Sequence, residues 1–252
     1  MALNGLGLFL FEMAAGTGFL LLFFPTDTLG KGFFSMHGAV ALFFMLCALQ
    51  TLPTGTPGVV GLVGAGLFGL YTLVAHAGRA ALARPLLAGA AGCAGYSMAR
   101  VAIEAPSLTG GAWTAASAAL GALFFGAAVL VMNLGHWYLV SRSLPFQLLA
   151  RGATLFAALA AARTLLLGAA VVIDPAPQGL VALLSPEKEA LFFLFRVAWG
   201  ILGPLALSYF IWKTADMKSN QAATGLLYVA LVFVLIGELL SSYLTVVTGF
   251  PA

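Results

Sequence analysis

His37, His76 and His136 are the only imidazoles in this 252-residue chain, and each falls within or at the end of a strongly apolar stretch. A histidine inside a membrane segment is costly, so it turns toward the protein interior, a wet cavity or a ligand. Two neutral imidazoles on facing helices can ligate the iron of a b-type haem while an arginine holds a propionate. An imidazole can equally bond a quinone carbonyl and pass the proton that accompanies its reduction. His37 and His136 are the stronger candidates as ligands of haem iron or as quinone contacts. His76, beside Ala77-Gly78-Arg79, suits a headgroup-facing position equally well. Arg151 lies at a matching depth as the partner for an anion or a carbonyl. Three histidines allow at most one bis-histidine haem.

A second set of groups lies deeper. Arg100 and Glu104 share a helix face at i, i+4, and Glu12, Arg163, Arg196 and Glu238 fall in four other apolar segments. These six carry three positive and three negative formal charges. Ionisable side chains in hydrocarbon pair with one another or line a wet path. Two readings stay open: a structural charge network, or a proton or ion path with Glu12, Glu104 and Glu238 as carriers.

The elements that must position these residues are membrane helices. Hydrophobic residues make up 62% of the chain and charged residues 8%, against roughly a quarter charged in a soluble domain. Apolar runs near the ~20 residues needed to span a bilayer occur at Leu3–Phe24, Phe33–Leu52, Gly58–Ala77, Pro85–Ala105, Ala112–Val140, Phe146–Ile173, Ala190–Trp212 and Ala222–Val247. Between them lie breaker clusters such as Pro25-Thr26-Asp27, Pro53 to Pro57, Arg84-Pro85 and Asp174-Pro175-Ala176-Pro177. The expected fold is therefore all-α, one integral membrane bundle of about eight helices covering residues 1–252. Lys31, Arg79, Arg84, Arg142, Lys213 and Lys218 fall in alternate loops, and the opposite loops hold only Lys188. Basic short loops stay cytoplasmic, which places both termini on the outer, periplasmic side. The three histidines then lie near the cytoplasmic interface.

Several other readings are set aside. Gly64-Ala65-Gly66-Leu67-Phe68-Gly69 matches a dinucleotide fingerprint, but it lies inside a spanning helix with no strand before it and no acidic ribose partner, so its glycines serve helix packing. Cys47 and Cys93 match no metal spacing. The net charge of +3 lies in loops next to anionic lipid and does not point to nucleic acid. Leu3 to Phe24 lacks the basic start of a secretory signal and is interrupted by Glu12, so it reads as a retained helix. No internal repeat with paired broken helices is evident. The connection from Asp174 to Glu189 is expected to face outward, with Leu180 to Leu184 along the interface or against a partner.

The early Glu12-Met13-Ala14-Ala15-Gly16 and the late run from Gly225 to Gly237-Glu238, with the chain length and helix number, resemble the polytopic anchor subunits of respiratory oxidoreductases of the polysulfide-reductase and NrfD type. That resemblance implies quinone binding and electron exchange with partner subunits. Those anchors generally lack haem, and a histidine layer departs from their pattern. The function expected is a multi-pass subunit of a respiratory or electron-transfer complex in the bacterial inner membrane. It would handle quinone or quinol near the cytoplasmic interface, with room for one haem b, and sit in the lipid bilayer beside other subunits. The rival readings are a small-solute or ion transporter working through the Arg/Glu layer, and a structural anchor without chemistry.

Overall fold

The computed structural model describes residues 2–51, 55–105, 107, 110–141, 144–145, 147–173 and 188–250. All regular structure among them is helical. The helices are α1 (Ala2–Leu21), α2 (Thr26–Leu49), α3 (Thr56–His76), α4 (Ala80–Glu104), α5 (Gly111–Val140) and α6 (Gln147–Ile173). Next comes α7, built from Lys188–Val197, a π-helical stretch Ala198–Leu202 and Gly203–Asp216, and then α8 (Asn220–Thr248). Seven are long and apolar enough to cross a membrane, and α1 adds the shorter apolar segment Gly5–Leu21. Two of the predicted breaks move. Gly30, at φ 73° and ψ 164°, is non-helical and kinks α2, setting a short first turn from Thr26 against the long helix that carries Phe33. Pro85 lies inside α4, near its start, where it forfeits one backbone bond close to a helix end instead of stopping the helix. The stretch 174–187, with Leu180 to Leu184, and the loop cation Arg142 lie outside the described residues.

The packing repeats. Within the first four helices, α1 packs on α2 and α4, α2 on α3 and α3 on α4; the second four repeat this as α5 on α6 and α8, α6 on α7 and α7 on α8. The two halves meet chiefly through α1 against α5, and two further cross-contacts, α1 with α8 and α4 with α5, also correspond. Four helices per half give both halves the same direction through the layer, as in parallel-repeat transporters. This repeat was not evident in the sequence, because it is carried by helix order and packing, with the polar residues differing between halves.

The meeting of α1 and α5 is close. A Cβ added to Gly16 would lie 1.7 Å from the carbonyl oxygen of Ala122, and one on Gly126 would lie 2.5 Å from the Gly16 backbone. Without a side chain at either position the two backbones touch, the usual device for joining helices where lipid offers no hydrophobic driving force. Around the contact pack Ala14, Ala15, Phe124, Phe125 and Ala127, all buried.

Candidate functional site

The polar interior is built where α1 meets the second half of the bundle. Glu238 of α8 is fully buried, as is Arg196 of α7, and Arg163 of α6 is 2% exposed. Arg163 grips Glu238 with two prongs, Nε to Oε1 at 3.2 Å and Nη2 to Oε2 at 2.9 Å. Its remaining reach goes to Ser117 on α5, with Nη1 donating to the carbonyl oxygen at 3.2 Å and to Oγ at 2.7 Å, while Nη2 also donates to Ser241 Oγ at 2.8 Å. Arg196 Nη1 reaches Glu238 Oε1 at 3.0 Å. On α1, Glu12 is 4% exposed and accepts a bond from Ser242 Oγ at 3.2 Å. It lies within electrostatic range of Glu238, Arg163 and Arg196. Two arginines and two glutamates are thus gathered from four helices, which is what charges in hydrocarbon require.

Local backbone explains how the cluster fits. Pro204 has no N–H to offer the carbonyl one turn back, and α7 widens into its π-helical stretch just before it. Arg196 Nη1 lies 3.5 Å from the Gly200 carbonyl oxygen, so the arginine partly serves the backbone that the proline disturbs. Gly200 also abuts Gly237, where a Cβ on either residue would lie 2.3–2.5 Å from the other's Cα. That approach lets Arg196 reach across to α8. Among the described residues, Arg196 Nε and Nη2 are buried without a hydrogen-bond partner.

The histidines are held in three separate arrangements. His37 is fully buried. Its Nδ1–H donates to the Phe33 carbonyl at 2.7 Å, and Nε2 accepts from Asn133 Nδ2 at 3.1 Å. The carbonyl can only accept, which fixes the tautomer. His37 therefore ties α2 of one half to α5 of the other, and ligating iron would require Nε2 to release Asn133. His136 is exposed on α5, with its Nδ1 3.1 Å from the Tyr228 hydroxyl on α8. His76 is exposed at the end of α3. Arg151 is exposed and lines a cleft of about 330 Å³ with Phe23, Phe24 and Leu155. Phe24 stacks on Phe33 and Phe33 meets His37 at a 45° tilt, with ring centroids 5.8 and 4.3 Å apart, so aromatic rings stand between Arg151 and His37. Among the described residues no group of three or more His, Cys, Asp or Glu side chains is gathered as for a metal ion. Arg100 and Glu104 pair with each other on an exposed face of α4.

A cavity of about 360 Å³ opens where the end of α1, the start of α2, the end of α3 and the start of α4 converge. Leu21, Leu22, Phe34, Ala75, Ala83 and Leu87 form its apolar wall, and Thr26, Asp27, Lys31, Tyr71 and Arg84 supply its polar groups. Sequence reasoning used Lys31 and Arg84 only to orient the chain and missed that Gly30 and Pro85 fold their helix starts around one hollow. Ser117, Ser241 and Ser242 were also missed. The two serines three and four residues after Glu238 carried a readable signal, since that spacing puts them on one helix face.

The protein is a polytopic α-helical membrane protein with an ion cluster buried where α1 meets the second half of its bundle and an amphipathic cavity within the first half. No protein-family model, no curated protein and no solved structure matches the chain.

Proposed function

We propose that this protein binds quinone or quinol as the membrane subunit of an electron-transfer complex in a bacterial cytoplasmic membrane. The supporting observation is the cavity between α1, α2, α3 and α4. Its volume of about 360 Å³ is at the small end of ligand pockets, roughly 300–1,000 Å³, suited to one ring. An apolar wall with few polar groups is what such a ligand needs. Lys31 and Arg84 are donors for ring carbonyls, and Asp27 is an acceptor for a quinol hydroxyl. The cavity lies at the end of the bundle that carries the basic loops, where the positive-inside rule expects the cytoplasm. The ring therefore moves from the predicted histidine layer to a neighbouring site at the same end. The resemblance to quinone-reactive anchor subunits points to the same ligand class. The ion cluster serves this reading as a fixed charge centre joining α1 to α6, α7 and α8, with Glu12, which has one neutral hydrogen-bond partner, as its proton-exchanging member.

The test is quinone content and binding. Protein purified in mild detergent is extracted for quinone, then placed in nanodiscs and titrated. Stoichiometric quinone that is lost in Arg84→Gln and Lys31→Gln supports the reading; no extractable quinone and no saturable binding overturn it. Proteoliposome solute uptake that depends on Arg163 or Arg196 would favour a transporter instead.

A further inference from the structure

Two seams hold equivalent places in the two halves of the bundle and are filled differently. In the first half α2 packs on α1 beside α5, and in the second α6 packs on α5 beside α1. The seam between α2 and α5 is closed by protein. Trp137 meets Phe33 edge to face with ring centroids 5.6 Å apart, a Cβ on Gly32 would lie 3.5 Å from the Trp137 ring, and Asn133 bonds His37 at 3.1 Å. The seam between α1 and α6 instead holds the cleft of about 330 Å³. Leu20, Phe23 and Phe24 line it from the end of α1, and Leu148, Arg151 and Leu155 from the start of α6. Positions 148, 151 and 155 recur at i, i+3 and i+7, so α6 turns one face into the cleft. Leu20 and Phe24 are buried at its floor, whereas Phe23 is 70% exposed and Arg151 is exposed, so the cleft opens on the surface of the bundle.

Charge says what fits there. Arg151 is the one polar side chain lining the cleft among the described residues, and it makes no ion pair or hydrogen bond with another of them. It stands about 6 Å into α6 from Gln147, at ~1.5 Å per residue, at the end of the bundle that carries the basic loops. The positive-inside rule expects the cytoplasmic leaflet there, and that leaflet holds anionic lipid. A guanidinium presents a planar set of donors to phosphate oxygens, and the walls beside it are apolar. We propose that the cleft between α1 and α6 binds one anionic phospholipid, with its phosphate on Arg151 and an acyl chain against Leu20, Phe23 and Leu155. Free phosphate would share the arginine but leave the apolar walls unused. The lipid takes on this side the place that Trp137 takes on the other, and it joins α1 of the first half to α6 of the second. The site is separate from the cavity among α1 to α4 and stands or falls without the quinone reading.

The test titrates phosphatidylglycerol into the delipidated full-length protein in detergent and counts bound lipids by native mass spectrometry. One molecule should bind more tightly than the rest, and phosphatidylcholine should bind that site about fivefold more weakly, the preference one cation gives an anionic lipid. Arg151→Gln should weaken the tight phosphatidylglycerol about tenfold, the effect of losing one charge-assisted hydrogen bond, and Arg151→Lys should restore most of it. Leu155→Trp places an indole in the cleft, as Trp137 does in the other seam, and should expel the lipid while Arg151 is kept. Equal phosphatidylglycerol affinity in wild type, Arg151→Gln and Leu155→Trp overturns the site. So does inorganic phosphate that displaces the lipid, since the acyl chain would then contribute nothing. A decyl-substituted benzoquinone that displaces it from wild type also overturns the assignment and gives the cleft to quinone.

Discussion

Arg163 and Glu238 form a two-pronged ion pair inside the bundle, 3.2 and 2.9 Å across its two hydrogen bonds, and Glu238 shares one of those oxygens with Arg196 at 3.0 Å. One carboxylate thus serves two guanidinium groups from two helices. The asymmetry decides which member of the cluster the fold depends on most.

Removing one partner of a buried pair costs about 3–5 kcal/mol, because the charge left behind keeps its desolvation penalty. Glu238→Gln strands two arginines, whereas Arg163→Gln leaves Glu238 paired with Arg196. Thermal unfolding in detergent should therefore rank Glu238→Gln as the less stable of the two. The reverse order would show that Arg163's bonds to Ser117 and Ser241 outweigh the shared carboxylate.

Helix contact supplies an independent check. Gly16→Ala would push a methyl group into the Ala122 carbonyl, and Gly200→Ala would push one against Gly237 and to 3.0 Å from Arg196 Nη1. Overpacking of this kind costs about 1–3 kcal/mol, so both variants should unfold at lower temperature. Gly92→Ala, where a Cβ would meet nothing within 4 Å, should match wild type. Equal stability of all three variants would contradict the close approach of these backbones.

The helices were legible in the sequence because a bilayer leaves little choice: long apolar runs between breaker clusters can only be spans. Each of the eight expected runs overlaps a helix. The departures come from Gly30 and Pro85, two residues that usually end helices but here reshape helix starts. The interior was partly legible. Glu12, Arg163, Arg196 and Glu238 stood out as charges in hydrocarbon, and they do converge. The histidines stood out for the same reason, yet depth along the membrane normal is one coordinate only. Which way each imidazole turns depends on helix rotation, which sends His37 to Asn133 and His136 to Tyr228. The cavity was not legible, because Asp27, Lys31, Tyr71 and Arg84 come from three helices and each alone looks like an ordinary interfacial residue.

The link between His37 and Asn133 gives a prediction that separates packing from ligation. Asn133→Leu leaves Nε2 of a buried imidazole without a partner, and His37→Ala leaves the Asn133 amide short of one. Either loss costs about 1–3 kcal/mol, and the double variant should lose less than the sum, since one interaction cannot be removed twice. A double-mutant cycle by thermal unfolding measures this. The same variants decide iron ligation. A reduced-minus-oxidised b-type band in the purified protein that vanishes in His37→Ala but not in Asn133→Leu would make His37 a haem ligand, and would mean that Nε2 leaves Asn133 when haem binds.

Arg100 and Glu104 provide the contrast case for charge in this protein. They share a turn near the end of α4, their side chains are 43% and 55% exposed, and each is the other's ionic partner. An exposed i, i+4 pair is worth only about 0.3–0.5 kcal/mol in stability and weakens with salt. Glu104→Gln should therefore change the unfolding temperature far less than Glu238→Gln, although both remove one negative charge from a helix of the same bundle. If Glu104 were a proton carrier, its loss would slow proton-linked turnover while stability stayed unchanged. A pair serving only the surface of α4 predicts that both stay unchanged. Measuring turnover and unfolding in Glu104→Gln and Glu12→Gln side by side distinguishes the exposed carboxylate from the buried one: proton-linked function should fall with Glu12 and persist without Glu104.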